Sequence, residues 1–215
     1  MVVSIKWLGH ASFLIKGAGK VIYTDLAEEA VASEKADLVL VTHSHPDHFD
    51  LSKIKKVSKS NTIVIAPRDC VTKIGGSSKS LKLGEETTAN DVKIKAVDAY
   101  NYKRFRSPGV PFHPEGLGVG YLITIEGKVI YHAGDTDFIP EMAKLGHVDV
   151  ALVPTGGTYT MDNPESAEAA TTIKPKIAIP MHRWDTDPKV FKDLVETNSD
   201  VKVEILEENE ELKLT

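Results

Sequence analysis

The sequence predicts an α/β (α+β) fold made of two similar β-rich halves packed face to face, each a mixed sheet covered outside by its own helices. Three observations carry this. Segments of strand length recur along the chain, helix starts fall between them, and the second half echoes the first.

The strand segments are VSIKWL (3–8), SFLIK (12–16), KVIYTD (20–25), DLVLVT (37–42), TIVIA (62–66), VKIKAV (92–97), VGYLITI (119–125), KVIYH (128–132), DVALVP (149–154), KIAIP (176–180) and VKVEIL (201–206). Helix starts are legible at three places. Asp50 caps LSKIKKVS, whose apolar Leu51, Ile54 and Val57 recur every three residues. Asn163 caps a helix that opens with Pro164 and Glu165, and Asp187 precedes Pro188 and KVFKDLVET. Hairpins come early in each half and strand–helix alternation comes late, which predicts mixed sheets.

The echo keeps its order. SFLIKGAGKVIYTD (12–25) aligns with GYLITIEGKVIYHA (120–133), ADLVLVT (36–42) with VDVALVP (148–154), and TIVIAPR (62–68) with KIAIPMH (176–182). The offset grows from 108 to 112 to 114, as a duplication with small insertions would give. No linker divides the chain, so residues 1–215 are expected to form one domain. Polar residues cluster just past the ends of the matched strands, where loops meet over a cleft.

Composition narrows the function classes. The chain has 215 residues, 41% hydrophobic and 27% charged, with a net charge of −5. The negative balance argues against a nucleic-acid surface. No apolar stretch approaches the ~18–20 residues of a membrane span. MVVSIKWLGHASFLI is alternating strand sequence without a signal-peptide layout, so the cytoplasm is the expected location. Cys70 is the sole cysteine, which excludes a thiolate cluster and predicts a small buried side chain.

VTHSHPDHFD (41–50) holds three histidines and two aspartates in eight positions, 43–50. His43 and His45 are two apart and project the same way from extended chain. Pro46 breaks the strand, and Asp47 and His48 lie beyond it. This is more ligand than one tetrahedral ion needs, so a two-metal site is the inference. Imidazole and carboxylate without thiolate suit Zn²⁺, which is expected, with Mn²⁺ or Fe²⁺ as alternatives.

H-x-H-x-D-H after an apolar strand resembles the signature of the metallo-β-lactamase superfamily. Further matches follow in order: His113 in VPFHPEG, Asp135 in VIYHAGDTDF and His182 in IAIPMHRW. With WLGHASF, GGTYTM and PESAEAA, the chain is similar to the small metal-dependent hydrolases of this superfamily related to L-ascorbate-6-phosphate lactonases. That resemblance implies a four-layer αββα sandwich with a dinuclear cleft. It implies His43, His45 and His113 on the first metal, Asp47, His48 and His182 on the second, and Asp135 bridging both. The two ions would acidify a bridging water to hydroxide, which attacks an ester, lactone or phosphodiester. Asp47, Asp135 and His10 are then the candidate catalytic residues.

Other residues complete the expectation. His10 in the turn LGHAS is read as a substrate contact or a support for a ligand. His132 is a candidate support for a ligand, and Thr136 a candidate hydrogen-bond partner of a ligand carboxylate. The irregular stretch AYNYKRFRSPGVPFHPEG (99–116) is read as a lid or wall, and its Lys103, Arg104 and Arg106 as contacts for an anionic substrate. Thr155, Gly156 and Gly157 are expected to add backbone donors. His147 is expected in an exposed loop.

The expected partner is a small-molecule substrate, with a homo-oligomer as an open alternative. The competing functions are an RNA- or nucleotide-processing nuclease and a non-catalytic metal-binding scaffold. A β-lactamase proper fits poorly without an export signal. A redox di-iron protein would be expected to carry a carboxylate within the first motif and a flavin partner domain.

Overall fold

The alternation of residues 13–24 is broken at Ala18 and Gly19, whose φ angles of 50° and 69° are the positive pair of a type I′ turn. Glu126 and Gly127 repeat the device in the second half, at 49° and 75°. In each case the glycine takes the left-handed conformation that a side chain would strain. A computed structural model describes residues 2–27 and 29–214, which fall into two compact units. The first unit comprises the described residues of Met1–Ala96, Thr124–Gly127 and Leu206–Thr215; the second comprises Val97–Ile123 and Lys128–Ile205.

The first unit contains β1 (Val3–Trp7), β2 (Phe13–Gly17), β3 (Lys20–Thr24), β4 (Leu38–Leu40), α1 (Leu51–Val57), β5 (Ile63–Ala66), α2 (Arg68–Ile74), β6 (Ser78–Ser80), β7 (Glu86–Ala89) and β8 (Val92–Val97). The second contains β9 (Phe105–Ser107), β10 (Val110–Pro111), β11 (Gly120–Ile125) up to Ile123, β12 (Lys128–His132), β13 (Val150–Pro154), α3 (Asn163–Ile173), β14 (Ile177–Met181), α4 (Pro188–Asn198) and β15 (Lys202–Val203). Strand β16 (Glu211–Leu214) returns the chain to the first unit.

In the first unit the mixed sheet runs β16-β1-β2-β3-β4-β5-β6, antiparallel through the hairpins and parallel from β3 to β6. In the second, β12, β13 and β14 are parallel neighbours, with β11 and β15 outside them. The order hairpin, then parallel strand, then parallel strand is therefore the same in both. β9 and β10 pair as a short ribbon within the stretch expected to be irregular.

One clamp appears twice, at the start of β4 and of β13. Asp37 accepts from Val21 N (2.9 Å) and from Lys59 Nζ (2.6 Å), while its own N–H and C=O bond Val21 and Ile63. Asp149 accepts from Val129 N (2.8 Å) and Lys176 Nζ (2.7 Å), with its backbone bonded to Val129 and Ile177. Each aspartate thus sets the register of three strands. Burial pulls each carboxyl upward, but the lysine ammonium and the strand N–H outweigh it and hold both below the ordinary carboxylate value.

The cores follow the apolar periodicity. Leu14, Tyr23, Val39, Val41, Ile54, Val57 and Cys70 pack in the first unit, and burial lifts the Cys70 thiol to about 12. In the second unit Tyr131, Val150, Leu152, Ile179, Phe191 and Val195 are buried. Asp50 caps α1 and Asp187 caps α4 as expected. For α3 the cap is Asp162, one residue before the expected Asn163, because its carboxylate accepts from Glu165 N. Helix α2 and strands β6, β7 and β16 add to the expected elements, and β15 is shorter than VKVEIL suggests. No helix among the described residues is long and apolar enough to cross a membrane.

Asp149→Asn is expected to cost about 1–2 kcal/mol in urea unfolding at pH 7, as loss of a charge-assisted bond with one exposed partner does. Because the folded carboxyl lies below its unfolded value, this contribution is present above roughly pH 4 and lost as pH falls through the folded value. Stabilities of wild type and variant should converge on acidification.

Candidate functional site

In the first unit, the buried strand β4 runs on through Val41, and the chain then turns on Pro46. The His45 carbonyl accepts from His48 N (3.0 Å) and Phe49 N (2.9 Å), which closes a tight loop. The rings of His43 and His45 lie 4.7 Å apart, and those of His43 and His48 4.1 Å apart.

The residue that organises this loop is Asp25, fully buried just past β3. Its Oδ1 accepts from Thr42 N (2.7 Å), and its Oδ2 from the Thr42 hydroxyl (2.6 Å) and His48 Nδ1 (2.8 Å). An ionised carboxylate only accepts, so Nδ1 of His48 carries the proton and Nε2 becomes the ligand atom. The Thr42 hydroxyl has given its hydrogen to Asp25. It therefore accepts from His43 Nδ1 at 3.0 Å, and His43 also presents Nε2. One carboxylate thus sets the tautomer of two imidazoles.

His10 sits in a turn at φ 48°, with its carbonyl bonded by Trp7 Nε1 (2.9 Å). Its Nε2 lies 3.1 Å from Asp47 Oδ2. The ligand atoms of His10, Asp47 and His48 all fall within 4.8 Å of one another. His10 therefore engages Asp47 directly, whose carboxylate is 38% exposed.

In the second unit, Asp135 lies in the loop after β12 and is buried. Its Oδ2 is 3.2 Å from His113 Nε2 and 3.2 Å from His182 Nε2. His113 Nδ1 lies 2.7 Å from Asn101 Oδ1, which also accepts from His113 N at 3.0 Å. The Asn101 amide is oriented by its own donations to Asp137 Oδ1 (3.0 Å) and the Tyr159 carbonyl (3.1 Å). Hence Oδ1 faces His113, Nδ1 is the protonated nitrogen, and Nε2 points to Asp135. His182, just past β14, takes φ 49°. A Cβ at Gly156 would run into the His182 carbonyl and the Trp184 ring, so this close approach requires glycine.

The remaining candidates are placed as follows. Arg104 bonds Asp137 (2.6 Å), Glu165 (2.5 Å) and the Gly157 carbonyl (2.8 Å), and Lys103 bonds Glu165 (2.8 Å). Both cations thus tie the 99–116 stretch to α3 and the loop after β13. Burial pulls the Glu165 carboxyl upward, but Lys103 and Arg104 hold it below its ordinary value. Arg106 is exposed and bonds the Phe112 carbonyl at 3.0 Å. Thr155 N donates to the Met181 carbonyl and Gly157 N to the Met161 carbonyl, both at 3.0 Å. The Thr136 hydroxyl donates to the Asp137 carbonyl (2.8 Å) and accepts from Tyr100 N (3.2 Å), so it ties loops together. His132 is buried and accepts from Gly134 N. His147 is exposed, beside Asp149.

Sequence reasoning missed Asp25, Thr42, Asn101 and Asp137. For Asp25 a signal existed. The echo aligns it with Ala133, so a carboxylate ends the matched strand in one half only.

A family model described as the β-lactamase superfamily domain matches residues 4–182. The chain belongs to the β-lactamase superfamily. A relative from Pelotomaculum thermopropionicum, named a UPF0173 metal-dependent hydrolase, is 34% identical over 99% of this chain and 100% of its own. A solved structure from Parabacteroides distasonis superimposes with a TM-score of 0.88 at 36% identity, covering 94% of this chain and 92% of that one. Igni18, a metallo hydrolase from the archaeon Ignicoccus hospitalis, gives a TM-score of 0.82 at 26% identity over 100% and 99% of the two chains. The mixed α/β fold with two mixed sheets and four α-helices among the described residues is that of the metallo-β-lactamase neighbours.

Asp25→Asn is expected to leave the fold intact and weaken metal retention about 10- to 100-fold, the usual effect of losing a carboxylate behind a ligating imidazole. Competition against a chelator measures it.

Proposed function

We propose that the two ligand sets serve one dinuclear metal centre, and that the protein hydrolyses a small anionic ester, lactone or phosphodiester. The observation that carries this reading is the position of Asp135. One carboxylate oxygen stands equally, at 3.2 Å, from His113 and His182. The superfamily pattern puts those two imidazoles on different ions, so Asp135 is where a shared ligand would be. The first ion would take His43, His45 and His113, and the second Asp47, His48 and His182.

The residues fit such a group. Imidazole nitrogens and carboxylates suit Zn²⁺ and also Mn²⁺ or Fe²⁺. His43, His48 and His113 each have Nδ1 engaged by an oxygen, which leaves Nε2 as the ligating atom. Divalent ions held there would polarise a carbonyl or phosphoryl oxygen and lower the pKa of a water toward neutrality. The chain's own contribution is orientation. Asp25 fixes two imidazoles, Asn101 a third, and His10 holds the Asp47 carboxylate. Arg106, an exposed cation of the 99–116 stretch, would meet an anionic substrate.

Protein purified without added ions is expected to carry about two metals per chain by elemental analysis. Asp135→Asn and His45→Ala should abolish hydrolysis across a panel of phosphodiesters, lactones and thioesters while circular dichroism stays unchanged. Less than about half an ion per chain under metal-replete conditions would contradict the reading and favour a scaffold.

A further inference from the structure

An aromatic shelf in the second unit stands beside two of the proposed ligands. Phe112 directly precedes His113, and Trp184 lies two residues after His182. The Phe112 and Tyr159 rings meet edge to face at 4.8 Å, and Tyr159 and Trp184 are 6.2 Å apart. Trp184 also stands edge-on to the His182 imidazole at 5.7 Å. The shelf is thus continuous from one ligand-bearing loop to the other.

The fold spends free energy to keep this shelf in place. Trp184 is 56% exposed and Tyr159 38% exposed, although large rings stabilise a protein chiefly by burial. Trp184 has φ 47°, a left-handed conformation that is strained for an L residue. Gly156 is without a Cβ where the Trp184 ring passes. Arg106 sets a cation at the shelf's edge, 6.0 Å from the Phe112 ring centre. Strain and exposure together, next to ligand residues, mark a surface shaped for something other than folding.

We infer that the shelf binds a flat, apolar ring of the substrate, so that the preferred substrates are small anions carrying an aromatic or similarly planar group. This rests on the metal-hydrolase reading, which supplies the anchor for the anionic end. A ring lying across Trp184 and Tyr159 would place its attached anionic group toward His182 and His113. The second edge, at Phe112 and Arg106, would then set how large a ring is accepted.

The test compares phenylphosphonate with methylphosphonate, neither of which has a hydrolysable ester, by calorimetry on the metal-loaded full chain. Wild type should prefer phenylphosphonate about five- to tenfold, the range of one good aromatic pairing. Trp184→Ala should cut that preference to less than about twofold with methylphosphonate unchanged, and Trp184→Phe should retain most of it. In wild type, phenylphosphonate should quench tryptophan emission and methylphosphonate should not. Equal affinities in wild type, or a ratio that Trp184→Ala leaves untouched, would overturn the inference. So would a change of oligomeric state in Trp184→Ala with the ratio intact, which would assign the shelf to a second copy. The metal reading fails separately, if methylphosphonate binding is indifferent to removal of the metal by chelation.

Discussion

A carboxylate buried without solvent, Asp25, is the constraint on which the first-unit ligand loop depends. A charge in that position is costly unless hydrogen-bond donors replace the lost water. Here the Thr42 N–H, the Thr42 hydroxyl and His48 Nδ1 fill three of its four acceptor positions. The same bonds do three jobs. They pin the loop to the end of β3, fix the ring of His48, and through Thr42 fix the ring of His43. Removing the acid would therefore release a backbone amide and two imidazoles together.

The second unit solves the corresponding problem with a chain of neutral and charged groups. Asp137 gathers the backbone N–H groups of Tyr102 and Lys103, the Asn101 amide and the Arg104 guanidinium. Asn101 then orients His113, and His113 faces Asp135. Arg104 extends the network to Glu165 on α3 and to the loop after β13. From sequence, Lys103 and Arg104 read as contacts for an anionic substrate on an irregular stretch. Their partners lie 33 to 62 residues away, and no local pattern announces them.

Most of the frame was legible because it rests on local signals. Closely spaced strand segments mark the hairpins, Asp50 and Asp187 mark helix starts, and the echo predicts a repeated topology. The repeat extends to the Asp37 and Asp149 clamps, which share offsets with the strands they join. The ligand candidates were legible as a motif after a buried strand. What could not be read was the support behind them. Asp25 reads as an ordinary strand-end residue until tertiary contact shows what it holds. The α3 cap fell one residue early because Asp162 and Asn163 are both good caps, and only the bond to Glu165 N decides between them.

Oxygen partners set the tautomers of His43, His48 and His113, which leaves Nε2 as the atom that can ligate a metal. Long-range ¹⁵N–¹H correlation spectra of the histidines, recorded as Zn²⁺ is added, test it most directly. Nδ1 of His43, His48 and His113 should stay protonated throughout, with the metal-induced shift confined to Nε2. A protonated Nε2, or a metal shift at Nδ1, in His48 would contradict it.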